Sequence, residues 1–112
     1  MNREAFIASF SQYGPLYEIC WPDPPGESTR AQFTEALIAW MRACGFVCNA
    51  TPNGRCIDVT SNMYDNYPDL ALEWVDEGIL MVCYLGRTGY DALGNVKSLL
   101  DREGLVLKSI VG

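Results

Sequence analysis

Apolar and polar positions change rhythm several times along the chain, and each change marks an element. From Leu70 to Leu85, two apolar runs of strand length flank Asp76-Glu77-Gly78, which is turn chemistry. The second run, Ile79 to Leu85, carries no charge on either face. A strand of that kind needs cover on both sides, which predicts a place in the middle of a sheet with helices over at least one face. A second hairpin is predicted over 46–61, turning at Pro52-Asn53-Gly54-Arg55. Pro-Asn-Gly suits a type I turn with a bulge, which would set Thr51 opposite Arg55. A two-residue Asn53-Gly54 turn instead pairs Cys48 with Val59 and Ala50 with Ile57. The latter register is preferred, because it gathers Phe46, Cys48, Ala50, Ile57 and Val59 on one face. Asn49, Thr51, Asp58 and Thr60 then share the other, and a slip of one residue would mix the two sets.

Helical spacing appears three times. Phe6, Ile7, Phe10 and Tyr13 predict a helix over 2–13, capped by Asn2 and stopped by Gly14-Pro15. Phe33, Leu37, Trp40, Met41 and Cys44 form one stripe of a helix over 30–44, with Thr34, Glu35 and Arg42 on the opposite side. Thr29 and Gln32 fit a capping box at its start, and Gly45 provides its stop. Leu93, Val96, Leu99 and Leu100 give an apolar side to a third helix over 89–103, ended by Gly104. Leu16 to Trp21 alternates as a short strand, and 105–111 reads as a last one. The segment Trp21-Pro-Asp-Pro-Pro-Gly-Glu27 is a stiff loop, since its prolines fix the backbone and remove donors. The element order is α-β-α-ββββ-α-β. It predicts one α+β domain, 1–112, with an antiparallel sheet of about five to six strands: two hairpins, 46–61 and 70–85, and a C-terminal strand 105–111. Three helices, 2–13, 30–44 and 89–103, pack it, mostly on one face.

Composition narrows this picture. A chain of 112 residues that is 49% hydrophobic is long enough to bury a core and is not a disordered segment. No apolar run approaches the roughly 18 residues a membrane helix needs, and no charged-then-apolar leader opens the chain, so a soluble, cytoplasmic protein is expected. Cys20, Cys44, Cys48, Cys56 and Cys83 are an odd set among apolar neighbours, which reads as buried free thiols rather than a disulfide framework. Without a Cys-x-x-Cys knuckle or a single histidine, a zinc site is not expected. Asp58, Asn62, Asp65, Asn66 and Asp69 lack the spacing and glycine of a calcium loop. Lys and Arg number 8 against 14 acids, a formal net charge of −6, which argues against direct binding of a nucleic-acid backbone.

Catalysis is poorly served. The absence of histidine excludes Cys-His and Ser-His pairs within the chain. Asp58 and Glu73 are the strand acids of the two hairpins that could share a cleft, and a solvated sheet face explains both more simply. No catalytic residue, metal ligand or cofactor is assigned. Gly86-Arg87-Thr88-Gly89, before a helix, is the most enzyme-like stretch: Arg87, Thr88 and Gly89 could hold an anion through free amides and the helix dipole. An ordinary cap by Thr88 explains the same residues.

Binding is better served. Asp58, Asp65, Asp69, Glu73, Asp76 and Glu77 fall in a stretch, 56–86, that holds no Lys or Arg. Met63, Tyr64, Tyr67 and Pro68 add the aromatic and apolar surface that interfaces favour, and the Trp21-Pro-Asp-Pro-Pro loop has the same character. The expected function is that of a small acidic protein-binding module, an inhibitor or adaptor. Asp58, Tyr64, Asp65, Tyr67, Asp69, Glu73, Asp76 and Glu77 would occlude a basic surface on a partner protein, one that handles nucleic acid or belongs to a defence complex. In size and charge alone the chain resembles the inhibitor and immunity proteins that block nucleases or defence complexes. The alternative is a small-molecule or anion-binding domain, or a small enzyme, using the loop from Gly86 to Tyr90. An aromatic content of 12% in so small a chain also points to a homodimer.

Overall fold

The computed structural model describes residues 2–61, 68–75, 78–84 and 86–110, with the side chain of Arg87 outside that description. Three helices and six strands follow the expected order: α1 (Arg3–Phe10), β1 (Leu16–Cys20), α2 (Glu27–Ala43), β2 (Val47–Ala50), β3 (Cys56–Thr60), β4 (Leu70–Val75), β5 (Gly78–Cys83), α3 (Arg87–Glu103) and β6 (Val106–Ile110). The strands form one sheet in the order β2-β3-β4-β5-β1-β6. Every pairing in it is antiparallel. The fold is α+β.

The uncharged run after Asp76-Glu77-Gly78 becomes β5, and it lies between β4 and β1 with all of its residues buried. Ile79, Met81 and Cys83 point to the face under α2 and α3, where they meet Leu37, Met41, Ala92, Val96 and Leu100. Leu80 and Val82 point the other way and pack with Leu16, Val75 and Phe6 of α1. Helices therefore cover both faces of the central strand, two on one side and one on the other. Burying an apolar side chain of this size stabilises by about 1.5–3 kcal/mol, so a strand apolar on both faces can sit only here.

The β2–β3 register is the expected one, with Cys48 opposite Val59 and Ala50 opposite Ile57. Its turn is not the two-residue form. Gly54 N–H donates to the Thr51 carbonyl at 2.8 Å, and Thr51 N–H donates to the Cys56 carbonyl at 2.9 Å. Residues 52–55 thus make a four-residue loop, with Gly54 at φ +70° taking the left-handed position.

Helix ends account for the other departures. Asn2 caps α1 as expected, accepting from Ala5 N–H at 2.8 Å, but the helix stops at Phe10 and Tyr13 lies beyond it. α2 begins at Glu27, so the Thr29–Gln32 capping box does not form. Gly26 is the cap instead, with Pro25 buried just before it and Glu27 supplying an acid to the first turn. Thr34 faces inward, not outward, and accepts the indole N–H of Trp74 at 2.9 Å. Cys44 caps the C-terminus of α2 and is exposed; Cys48 and Cys83 are buried, and Cys20 and Cys56 half-buried. Burial pushes the Cys48 thiol up to about 11, which leaves it protonated and inert near neutral pH.

Candidate functional site

β4 decides where the acidic stretch goes. It runs Leu70–Val75, and an extended strand rises about 3.3 Å per residue, so it spans roughly 20 Å. Asp69 stands at its first end, beside the 61–69 connection, and Val75 at its other end. Tyr64, Asp65, Tyr67, Asp76 and Glu77 lie outside the described residues, as does the side chain of Arg87. The three acids that are described take separate roles.

Asp69 is 8% exposed. One carboxylate oxygen accepts from the Ser61 N–H and the other from the Thr88 hydroxyl, each at 2.6 Å. Its backbone carbonyl takes the N–H of Tyr84. Asp69 is therefore a brace joining the start of β4, the end of β5 and the first turn of α3. It presents no free carboxylate to a partner. Glu73 is 7% exposed and accepts the Cys56 thiol at 3.2 Å across the β3–β4 pair. That thiol is raised above its ordinary value by burial first and by the Glu73 contact second.

Asp58 alone of the described acids in this group is exposed. It shares the sheet face of Glu73 but pairs with Ala71, so the two carboxylates stand in neighbouring rungs and not opposite each other. Partial loss of hydration against the sheet raises the Asp58 carboxyl above its usual value. The folded state thus favours the protonated form. Stability from this group is present at low pH and falls as pH rises from about 3.9 through the raised value. Asp58→Asn is expected to flatten that limb of a urea-melt series between pH 3 and 7. An unchanged pH slope would show that Asp58 does not cause it.

At the α3 N-terminus the Thr88 hydroxyl is already committed within the chain. Thr88 is not its cap: Gly86 is, at φ +146°, with no side-chain bond, while the Thr88 hydroxyl is committed to Asp69. Gly89 is buried with its Cα against the Tyr84 backbone, so a Cβ there would collide with the Tyr84 carbonyl oxygen. The Thr88 hydroxyl therefore has the Asp69 carboxylate as its acceptor.

The same end of the sheet collects aromatic surface. Tyr13 stacks on Tyr84 with ring centroids 5.6 Å apart, and Tyr84 is bonded to Asp69. Tyr90 follows Gly89 in α3, with exposed Asp91 beside it. Tyr13 is 43% exposed and Tyr90 53%, the aromatic members of the exposed large apolar residues in the described chain. The pattern of apolar positions missed both. It counted Tyr13 into the α1 stripe and took Tyr90 with the loop that leads into the third helix; the signal was that each sits at a helix boundary, where a ring is not held against the sheet.

The Trp21-Pro-Asp-Pro-Pro loop is at the opposite end, and its ring is not free surface. Trp21 packs edge-on against Phe33 at 5.0 Å and lies 5.2 Å from Trp74. Pro22, Asp23 and Pro24 remain exposed. An open groove of about 770 Å³ lies there between α2 and the β2–β3 turn, lined by Glu27, Arg30, Thr34, Glu35, Arg55 and Trp74 among others. Arg30 covers the Trp74 ring at 5.2 Å. Charges of both signs line it, and the indole N–H of Trp74 is spent on Thr34, so the groove selects no ligand class. Among the described residues no three Cys, Asp or Glu side chains converge as metal ligands, and no helix is long and apolar enough to cross a membrane. No family model, no curated protein and no solved structure matches the chain.

Proposed function

We propose that the protein is an acidic protein-binding module, an inhibitor or adaptor that occludes a basic surface of a partner protein, such as one that handles nucleic acid or belongs to a defence complex. The observation that carries this reading is the pair of exposed tyrosines, Tyr13 and Tyr90, at the sheet end from which the 61–69 connection springs. Tyrosine gives large contact area at low entropic cost, and a few such rings usually supply most of the energy of an interface. Asp91 beside Tyr90, Asp65 in the connection and the net charge of −6 supply the electrostatic complement to a basic partner. The surface centres on Tyr13, Tyr90 and Asp91; Asp69 supports it from inside, while Glu73 pairs with Cys56 toward the other end of β4. Asp58 stands mid-strand in β3 and contributes at most to long-range steering. An anion-binding reading of Arg87, Thr88 and Gly89 has no observation in its favour, given the carboxylate already at Thr88.

The test is affinity capture from the native host, followed by association kinetics of the purified pair against ionic strength. A basic partner whose association slows with salt is expected. A neutral partner, or a rate indifferent to salt, would overturn the reading. Replacing Tyr13 and Tyr90 together with alanine should shift stability by little, since exposed substitutions change it by under about 0.5 kcal/mol each. Affinity for the partner should fall by about 2 kcal/mol or more, roughly thirty-fold. Full affinity in that double variant would move the interface elsewhere.

A further inference from the structure

We propose that the outer edge of β6 seats a second copy of this chain, antiparallel and centred on Leu107, so that the two sheets run together. The parity of the ladders shows which groups point out. Cys83 N–H bonds to the Pro15 carbonyl at 3.0 Å, in register with the β1–β5 pair. Antiparallel bonds alternate, so Tyr17 and Ile19 turn their backbone groups to β5, and Leu16, Glu18 and Cys20 turn theirs to β6. Their partners there are Ile110, Lys108 and Val106. Leu107 and Ser109 therefore turn N–H and C=O outward, and no described group meets them.

The other sheet edge is closed. By the same alternation, starting from the Thr51–Cys56 bond, Cys48 of β2 turns outward. Its carbonyl accepts from Arg42 Nε at 3.1 Å, and Arg42 Nη2 reaches Asn49 Oδ1 at 3.3 Å. An arginine laid across an edge blocks an incoming strand. Among the described residues the β6 edge has no such cover. Val106 beside it is the most exposed large apolar residue described, at 62%. A groove of about 440 Å³ runs along β6 and α3, bordered by Tyr17, Leu107 and Ser109, with Lys97 and Asp101 on its helical side.

Charge selects both the occupant and the register. Lys108 is the one charged residue of β6. Centring on Lys108 would set two ammonium groups directly opposite, which is unfavourable. Centring on Leu107 sets each Lys108 against the other copy's Val106, whose exposed side chain its aliphatic stem can cover. Leu107 then exchanges both bonds with its counterpart, and each Ser109 N–H meets a Leu105 carbonyl. Lys97 and Asp101 lie one turn apart on α3, and neither has an ion-pair partner among the described residues. A two-fold axis through Leu107 turns the Lys97 side of each copy toward the Asp101 side of the other, the self-complementarity an isologous dimer requires. The tyrosine ends of the two copies then point in opposite directions, and both stay open.

Sedimentation and light scattering on the whole chain test this. The unaltered protein should be a dimer at micromolar concentration. Ser109→Pro removes only an outward N–H and should give a monomer with unchanged circular dichroism and melting, still able to bind the partner. Val106→Lys should weaken the dimer and Val106→Glu tighten it, by roughly two- to thirty-fold for two symmetric pairs. Adding Lys108→Glu to Val106→Lys should restore it. A monomeric unaltered protein, or a dimer indifferent to both Ser109→Pro and Val106→Lys, overturns the proposal. So does a dimer that the neutral change Lys108→Gln alone tightens while Val106→Lys leaves it unchanged, since that pattern belongs to the Lys108-centred register.

Discussion

Trp74→Ala is expected to cost about 3–5 kcal/mol of stability, the range for truncating a large buried aromatic. Trp74 is 5% exposed and joins three layers of contact. Its ring lies against Trp21 at 5.2 Å and Phe33 at 6.2 Å, the latter edge-on. Arg30 covers it at 5.2 Å, and its N–H holds Thr34. Truncation opens a cavity under the N-terminal half of α2, removes a cation–π contact and leaves the Thr34 hydroxyl buried without its donor. Most small domains hold only 5–15 kcal/mol in all, so this variant should melt far below the unaltered chain or fail to fold. Trp74→Phe separates the contributions. It keeps much of the ring volume and loses the hydrogen bond, and a loss of about 1–3 kcal/mol is expected from chemical denaturation. If alanine and phenylalanine cost the same, the hydrogen bond and not the packing holds this corner.

Much of the fold is written in local pattern. The β5 run has no polar residue to put toward water, which forces it to the sheet centre, and the alternation in β2 and β3 fixes their register through the faces it buries. What the pattern does not hold is the detail where two elements meet. Thr34 reads as polar and outward, but its place was set by the indole N–H of Trp74, 40 residues away. Thr29-Gln32 reads as a capping box, yet the buried Pro25 commits the chain to a helix three residues sooner. Asp69 reads as one of a group of surface acids, because nothing in a base-free sequence neighbourhood reveals that its partners are an amide and a hydroxyl and not a cation. The same gap hides the candidate surface. The exposure of Tyr13 and Tyr90 depends on where α1 stops and α3 starts, and helix ends are the least legible feature of a single sequence. The openness of the β6 edge is likewise a matter of ladder parity and of where Arg42 reaches, neither of which composition records.

The two glycines within α3 should respond to the same substitution with opposite sign. In an exposed helix interior, alanine is favoured over glycine by about 0.5–1 kcal/mol, because the unfolded chain loses less entropy on folding. Gly94 is such a position: a Cβ there meets nothing within 4 Å. Gly94→Ala is expected to stabilise by about that amount. Gly89 has the same helical conformation, but α3 approaches the end of β5 so closely that a Cβ would enter the Tyr84 carbonyl oxygen, with the Asp69 carbonyl 3.4 Å away. Both obstacles are backbone, and both belong to the brace formed by Asp69, Tyr84 and Thr88. Neither can swing aside as a flexible side chain would. Gly89→Ala should therefore overturn the propensity gain and destabilise by about 1–3 kcal/mol, and Gly89→Val, with a branched Cβ, by about 3 kcal/mol or more. The damage should be local in origin. Hydrogen exchange of the Ser61, Tyr84 and Tyr90 amides should speed up before that of the β5 interior, since the first turn of α3 must lift from the sheet to admit the methyl. If Gly89→Ala and Gly94→Ala both stabilise, α3 can slide along β5 without cost, and the brace at Asp69 does not fix where the helix begins.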